Sequence, residues 1–216
     1  MSRLSGFVGR PPGPTRSAAS SARSVAEPDF DPVPLLLALV DAGVDFVLIG
    51  GLAGGAHGSA YPTYDVDVAY SRDRENLERL AALLRELGAT LRGAPSGLPF
   101  RLDAKTLEAG GNFPFDTRLG KLDVLAYLAG APPYDRLREE GKAVSIEERT
   151  VVIASLDHLI AMKEAAGRTK DKLMATEYRT LSDELRGTLW RDPGARPEPG
   201  TGAGLTGRKP RRPRPG

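Results

Sequence analysis

The chain has 216 residues, no cysteine, and a formal net charge of +2 that is placed unevenly. Without cysteine there is no disulfide framework, no thiolate metal site and no thiol nucleophile, which suits a reducing cytoplasm. Residues 1–27 carry four Arg against one Glu, and residues 192–216 carry five Arg and one Lys against two acids, so residues 28–191 are acidic at −5.

Twelve of the 18 prolines also fall in residues 1–34 and 192–216, which marks these flanks off from the body between them. Arg3, Arg10, Arg16 and Arg23, with no acid before Glu27, share the composition of an organelle transit peptide. Pro11, Pro12 and Pro14 would break an amphipathic helix there, so residues 1–30 are expected to form a disordered leader. Residues 191–216, ending in Arg208-Lys209-Pro210-Arg211-Arg212-Pro213-Arg214, are expected to be a disordered basic tail able to add electrostatic affinity for RNA or DNA. The apolar stretches Val33 to Val44 and Phe46 to Ala56 are too short and glycine-rich to span a bilayer, and no membrane segment is expected.

In chain order, Asp31-Pro32 reads as an N-cap followed by proline at the first helical position, opening a helix with Leu35, Leu36, Leu39 and Val40 on one face and ending at Gly43. Phe46-Val47-Leu48-Ile49 reads as a buried strand that stops in a Gly50-Gly51 turn, with a short helix over Leu52 to His57. Val66 and Val68 alternate with Asp65 and Asp67 as a second strand. Ser71 is read as the cap of a long helix whose apolar face holds Leu77, Leu80, Leu83, Leu84 and Leu87, closed by Gly88.

A strand near Phe100 to Asp103 is expected next, then a hairpin of Phe113 to Thr117 and Lys121 to Tyr127 turning through Arg118-Leu119-Gly120. Val151 to Ile153 is a short strand, Ser155 caps a helix ending near Gly167, and a last helix runs from about Lys170 to Leu189. The alternation predicts an α/β (α+β) domain, a small mixed sheet flanked by helices. Its core covers 31–153, and C-terminal helices over 154–190 pack on it.

The chemistry concentrates in the acids. Residues i and i+2 of a strand leave on one face, so Asp65 and Asp67 look one way while Val66 and Val68 enter the core. Two carboxylates this close repel each other unless a cation or proton sits between them, and hard oxygen donors suit Mg²⁺ or Mn²⁺. Lys121-Leu122-Asp123-Val124-Leu125 repeats the apolar-Asp-apolar rhythm, so Asp123 is a third candidate ligand from a neighbouring strand. Gly50-Gly51, directly after a strand, lets backbone N–H groups approach a phosphate. Acids, metals and a phosphate cradle together describe displacement at phosphorus.

The remaining polar residues read more plainly. His57 is expected to be packed or hydrogen-bonded, and with His158 as the only other histidine no histidine metal site is expected. Asp116 reads as a turn residue, and Tyr178, Leu181 and Trp190 as late-helix packing. Lys163 and Lys170 read equally as surface lysines or as ligand contacts.

The segments Ile49-Gly50-Gly51-Leu52-Ala53, His57-Gly58 and Thr63-Tyr64-Asp65-Val66-Asp67-Val68 resemble the DNA polymerase beta-like nucleotidyltransferase superfamily, and within it the small bacterial proteins related to AbiEii-type toxins. Ser155-Leu156-Asp157-His158-Leu159-Ile160-Ala161-Met162-Lys163, with Ala165 and Arg168-Thr169-Lys170-Asp171 after it, is similar to that group's later helices, and the likeness runs from about residue 34 to 180. The resemblance implies that Asp65, Asp67 and Asp123 hold Mg²⁺ or Mn²⁺ at the triphosphate of an NTP, with Asp123 helping to deprotonate an acceptor hydroxyl. It implies that Gly50 and Gly51 contact phosphates, and that Lys163, Lys170 and Asp171 hold the nucleotide or pin the last helices over the cleft.

The reaction so implied moves a nucleoside monophosphate to a hydroxyl on an RNA 3′ end, a protein or a small molecule. A toxin acting on tRNA or protein, with a cognate antitoxin as partner, falls within it. Two positions depart from the family pattern: Tyr61 stands where an Arg is frequent, and Met174 near where an acid is common. Two other readings stay open, a noncatalytic nucleotide- or partner-binding protein of the same fold and a phosphotransferase passing the γ-phosphate.

Overall fold

The computed structural model describes residues 30–189, apart from Ser96 and Leu98. The leader and basic tail expected from the sequence, and Trp190, lie outside the described residues.

Phe46–Ile49 (β1) is buried at all four positions, as an apolar run with no alternation requires. It is flanked on one side by Val66–Tyr70 (β2), antiparallel, and on the other by Arg149–Ile153 (β7), parallel. Beyond β2 lie Gly120–Leu125 (β5), parallel to it, then Asn112–Thr117 (β4) and Thr90–Leu91 (β3), both antiparallel to their neighbours. Lys142–Ile146 (β6) pairs antiparallel with β7 and forms the other edge. The result is a seven-stranded mixed sheet in the order β3-β4-β5-β2-β1-β7-β6.

Val33–Asp41 (α1) packs on β7 and on Arg74–Glu86 (α3), and their leucines Leu35, Leu39, Leu80 and Leu84 are fully buried. Each such side chain contributes roughly 1.5–3 kcal/mol of burial free energy. Gly50–Ala56 (α2) packs on β1 and β2 and receives Leu156–Ala166 (α6). The long Thr169–Leu189 (α7) lies along α6. Among the described residues, no helix is long and apolar enough to cross a membrane.

Several local expectations shift. α1 begins at Val33, one residue later than read, with Asp31 accepting from the Val33 N–H at 3.0 Å. Gly50-Gly51 is not a turn ahead of a helix but the start of α2 itself. Asp73, not Ser71, takes the N-cap position of α3, and Ser71 donates instead to the Asp73 carboxylate at 2.9 Å. The strand expected at Phe100 to Asp103 is absent: Asp103 accepts from the Thr106 N–H and caps a short helix, Ala104–Glu108 (α4), a role for which Asp is well suited. Asp116 lies in β4, not in a turn. Tyr134–Glu139 (α5) and β6 had no counterpart in the sequence reading. α5 is only six residues long, and no residue of the edge strand β6 is buried, so neither leaves a strong apolar period.

Candidate functional site

β1 ends where β2 begins, because the two are antiparallel with Ile49 opposite Asp67. On the far side of β2 the parallel register sets Asp67 opposite Asp123. Val66, Val68, Leu122 and Val124 are fully buried on one face of these strands, which turns Asp65, Asp67 and Asp123 to the other face. One carboxylate oxygen from each of the three lies within 4.8 Å of the others.

Gly50 has φ +67°, and the Asp67 carboxylate occupies the space a side chain there would need. Glycine is therefore required twice over, by conformation and by volume. A Cβ on Gly51 would come within 2.6 Å of the Thr63 side chain, whose hydroxyl donates to Asp65 at 2.8 Å. The glycine pair thus lets α2 close directly against the carboxylates.

The opposite wall comes from the last two helices. Lys163, in the last turn of α6, donates to Asp171, in the first turn of α7, at 3.2 Å, so each charge also complements its helix dipole. Gly167, at φ +68°, makes the left-handed turn that lets the two helices face each other.

A cavity of 360 Å³ results, and seven residues singled out from the sequence line it: Gly51, Asp65, Asp67, Asp123, Lys163, Lys170 and Asp171. Gly50 joins Asp67, Lys163 and Asp171 in a smaller adjoining cavity of 150 Å³. Met174, 4% exposed, also lines the larger cavity, whereas Tyr61 does not.

Burial, then the charges of Asp65 and Asp123, push the Asp67 carboxyl up to about 7, with Lys163 and Arg92 opposing. Burial also raises Asp123, against the lowering effect of Arg92. Arg92 is the main element the sequence reading missed. It follows β3, donates to Asp123 and to the Phe115 carbonyl at 3.2 Å, and pairs with Asp116 at 3.4 Å. Nothing in the local sequence marks it, because its role depends on strand pairing across the sheet. Thr63 carried a weak signal, a hydroxyl two residues before an acid, and Arg168 adds a further cation to the lining. His57 donates to the Ala154 carbonyl at 2.8 Å, outside the acid cluster.

The donor set suits a hard divalent cation. Three carboxylates converge from three backbone positions, and burial together with their mutual repulsion disfavours the charged form of Asp67, which a bound cation would offset.

No family model matches the sequence, and no curated protein matches it. Solved structures with similar chain paths include the lincosamide antibiotic adenylyltransferase LnuA with lincomycin bound, at 11% identity and TM-score 0.47, covering 68% of this chain and 94% of that one. A candidate nucleotidyltransferase from Thermotoga maritima matches at 14% identity and TM-score 0.44, covering 71% and 92%. ANT(2")-Ia in complex with adenylyl-2"-tobramycin matches at 15% identity and TM-score 0.41, covering 72% and 94%.

Proposed function

We propose that the chain is a metal-dependent nucleotidyltransferase of the polymerase beta-like kind, moving a nucleoside monophosphate from an NTP to a hydroxyl acceptor with release of pyrophosphate. The observation that carries this reading is the convergence of Asp65, Asp67 and Asp123 on one cavity with Gly51, Lys163 and Lys170. The acids would hold Mg²⁺ or Mn²⁺, whose charge offsets that of the triphosphate.

The chain's own residues do the positioning. Gly50 and Gly51, whose missing side chains leave room for Asp67 and Thr63, would offer backbone N–H groups to the phosphates. Lys163, held at its Asp171 partner, and the exposed Lys170 present positive charge across the cavity from the carboxylates. The acceptor oxygen forms a bond to the α-phosphorus, the α–β bridging bond breaks with pyrophosphate leaving, and the acceptor proton passes to the Asp123 carboxylate. Little covalent work falls to the protein, so orientation and charge carry most of the rate.

The test is transfer of label from α-labelled NTP, comparing the chain with the double variant Asp65→Ala, Asp67→Ala; equal labelling by both would overturn the proposal. Label transferred from the γ and not the α position would instead identify a phosphotransferase. A noncatalytic binding role gains one observation, the buried Met174 near where the resemblance favours an acid, and predicts NTP binding without pyrophosphate release. A toxin role with a cognate antitoxin adds a specific acceptor, tRNA or protein, to the same chemistry, and growth arrest dependent on Asp65 and Asp67 would test it.

A further inference from the structure

The strand register that sets Asp67 opposite Asp123 sets Ala69 opposite Leu125 two residues on. Two residues of strand advance about 6–7 Å and return to the same face, so these apolar side chains lie next to the acid cluster on the same surface. They floor a cavity of 520 Å³, walled by Tyr127 and Tyr134 and rimmed by Arg72. Leu125 and Leu128 line both this cavity and the 150 Å³ one that contains Gly50, Asp67 and Lys163, so the aromatic chamber adjoins the cavity that Asp67 enters.

The chamber is built rather than incidental. The Tyr127 ring closes over Gly110, where a Cβ would come within 2.6 Å of it, and Gly110 has φ +83°. The Arg72 guanidinium lies 5.4 Å from the centre of the same ring, and Arg72 also donates to the Tyr127 hydroxyl at 3.1 Å and to the Glu108 carbonyl. All these partners are neutral, and among the described residues no acid forms an ion pair with Arg72. Its charge stands uncompensated at the mouth of an apolar, aromatic-walled space.

We infer that this chamber binds a small aromatic molecule bearing an anionic group, and that this molecule is the hydroxyl acceptor. The apolar floor and tyrosine walls take the ring system, and the volume matches that of small-molecule sites, roughly 300–1,000 Å³. Arg72 takes the carboxylate, sulfonate or phosphate. A hydroxyl at the far end then points along the strands toward Asp123. The acceptor role rests on the nucleotidyl-transfer reading above, whereas the binding of an aromatic anion does not.

The experiment uses the full chain and the fluorescent probe 8-anilinonaphthalene-1-sulfonate, followed by fluorescence and calorimetry. The expected result is saturable one-to-one binding, weakened by about tenfold or more in Arg72→Gln through loss of the charged contact, and abolished in Ala131→Trp, which fills the chamber. Circular dichroism of both variants is expected to match the parent. Binding should survive in the double variant Asp65→Ala, Asp67→Ala and in the presence of a nonhydrolysable NTP. Hydroxylated aryl acids added with NTP should stimulate pyrophosphate release, and the stimulation should be lost in Arg72→Gln.

Absent probe binding, binding indifferent to both chamber variants, or displacement by the NTP analogue would overturn the inference, the last by assigning the chamber to the nucleotide base. Probe binding with the expected variant pattern but no pyrophosphate release with any acceptor would leave the aromatic-anion site standing and overturn its acceptor role together with the nucleotidyl-transfer reading.

Discussion

The Asp67 carboxylate sits in the volume that a side chain on Gly50 would fill, so the glycine that starts α2 and the acid of β2 are built as one unit. Ile49 lies opposite Asp67 in the β1–β2 ladder, so Gly50, the residue that follows β1, passes beneath the carboxylate.

Gly50→Ala tests that unit. The new methyl group meets Asp67 directly, and φ +67° is unfavourable for alanine by roughly 1–2 kcal/mol before any clash is counted. The expected outcome is a stability loss of about 2–4 kcal/mol in urea unfolding, since strain and displacement add. Mn²⁺ binding, read by calorimetry, should weaken as Asp67 moves. Unchanged metal affinity would mean that Asp67 does not take part in binding. Gly55, where a Cβ meets nothing within 4 Å, is the control: Gly55→Ala should leave both measurements close to those of the parent.

The charge on Asp67 gives a pH dependence with a definite sign. Its carboxyl is raised from 3.8 to about 7 in the folded chain, so the folded state holds this proton more tightly than the unfolded state. The contribution is fully present below about pH 4 and is lost as pH rises through 7. Metal-free protein should therefore lose stability across that window, by on the order of 3 kcal/mol if this group acts alone. Asp67→Asn should flatten the profile and make the metal-free protein more stable than the parent at pH 8. Mg²⁺ should restore stability to the parent at pH 8 but not to the variant, and its uptake near pH 6 should release protons, measurable as a buffer-dependent heat. A parent whose metal-free stability rises between pH 4 and 7 would contradict this account.

How much of this was legible beforehand depended on the range of the interactions. The Asp65–Asp67 pair, the β1 run and the α6 cap at Ser155 follow from periodicity within a few residues, and they were readable. Asp123 was readable as an isolated acid in an apolar strand, although its register opposite Asp67 is a property of the sheet. Arg92 acts through contacts that strand pairing creates, and no local pattern announces it, whereas Thr63 reaches an acid only two residues on and left a weak local signal. The stretch 89–112 misled for a related reason: Phe100 packs against Phe113 and Phe115 as a strand residue would, at ring separations of 6.1 and 6.2 Å, while its backbone forms no ladder. Its apolar character came from tertiary packing, and Asp103 and Thr106 diverted the chain into α4.

Buried tyrosines give a prediction at the alkaline end. Burial pushes Tyr70 and Tyr178 up to about 12 and raises Tyr134 as well. Tyr178 packs on Gly54 and so joins α7 to α2, while the Tyr70 hydroxyl donates to the Leu107 carbonyl at 3.1 Å. Each folded-state value lies above the unfolded value near 10, so the stabilisation holds below about pH 10 and disappears as pH rises through 12. Phenolate absorbance during a pH titration should show Tyr70, Tyr134 and Tyr178 ionising together with loss of the circular dichroism signal. Ionisation of Tyr70 and Tyr178 near pH 10, before unfolding, would contradict the packing described for them.

Arg92 offers the sharpest separation between a structural and a site-directed role for a positive charge. Its guanidinium ties β3 to β4 and β5 through Asp116, Asp123 and the Phe115 carbonyl, and it lowers the Asp123 carboxyl against the effect of burial. Removing it leaves Asp123 half-buried beside two other acids with no cation in contact. Arg92→Gln should therefore cost about 1–3 kcal/mol in metal-free protein, the range for an orphaned charged partner. If Arg92 serves only to join strands, saturating Mg²⁺ should leave that cost unchanged. If it neutralises the acid cluster, Mg²⁺ should recover most of the loss, and metal affinity should rise in the variant because the cation no longer competes with the guanidinium for Asp123. The shared contact with Asp123 favours the second outcome, and paired urea titrations with and without Mg²⁺ decide it.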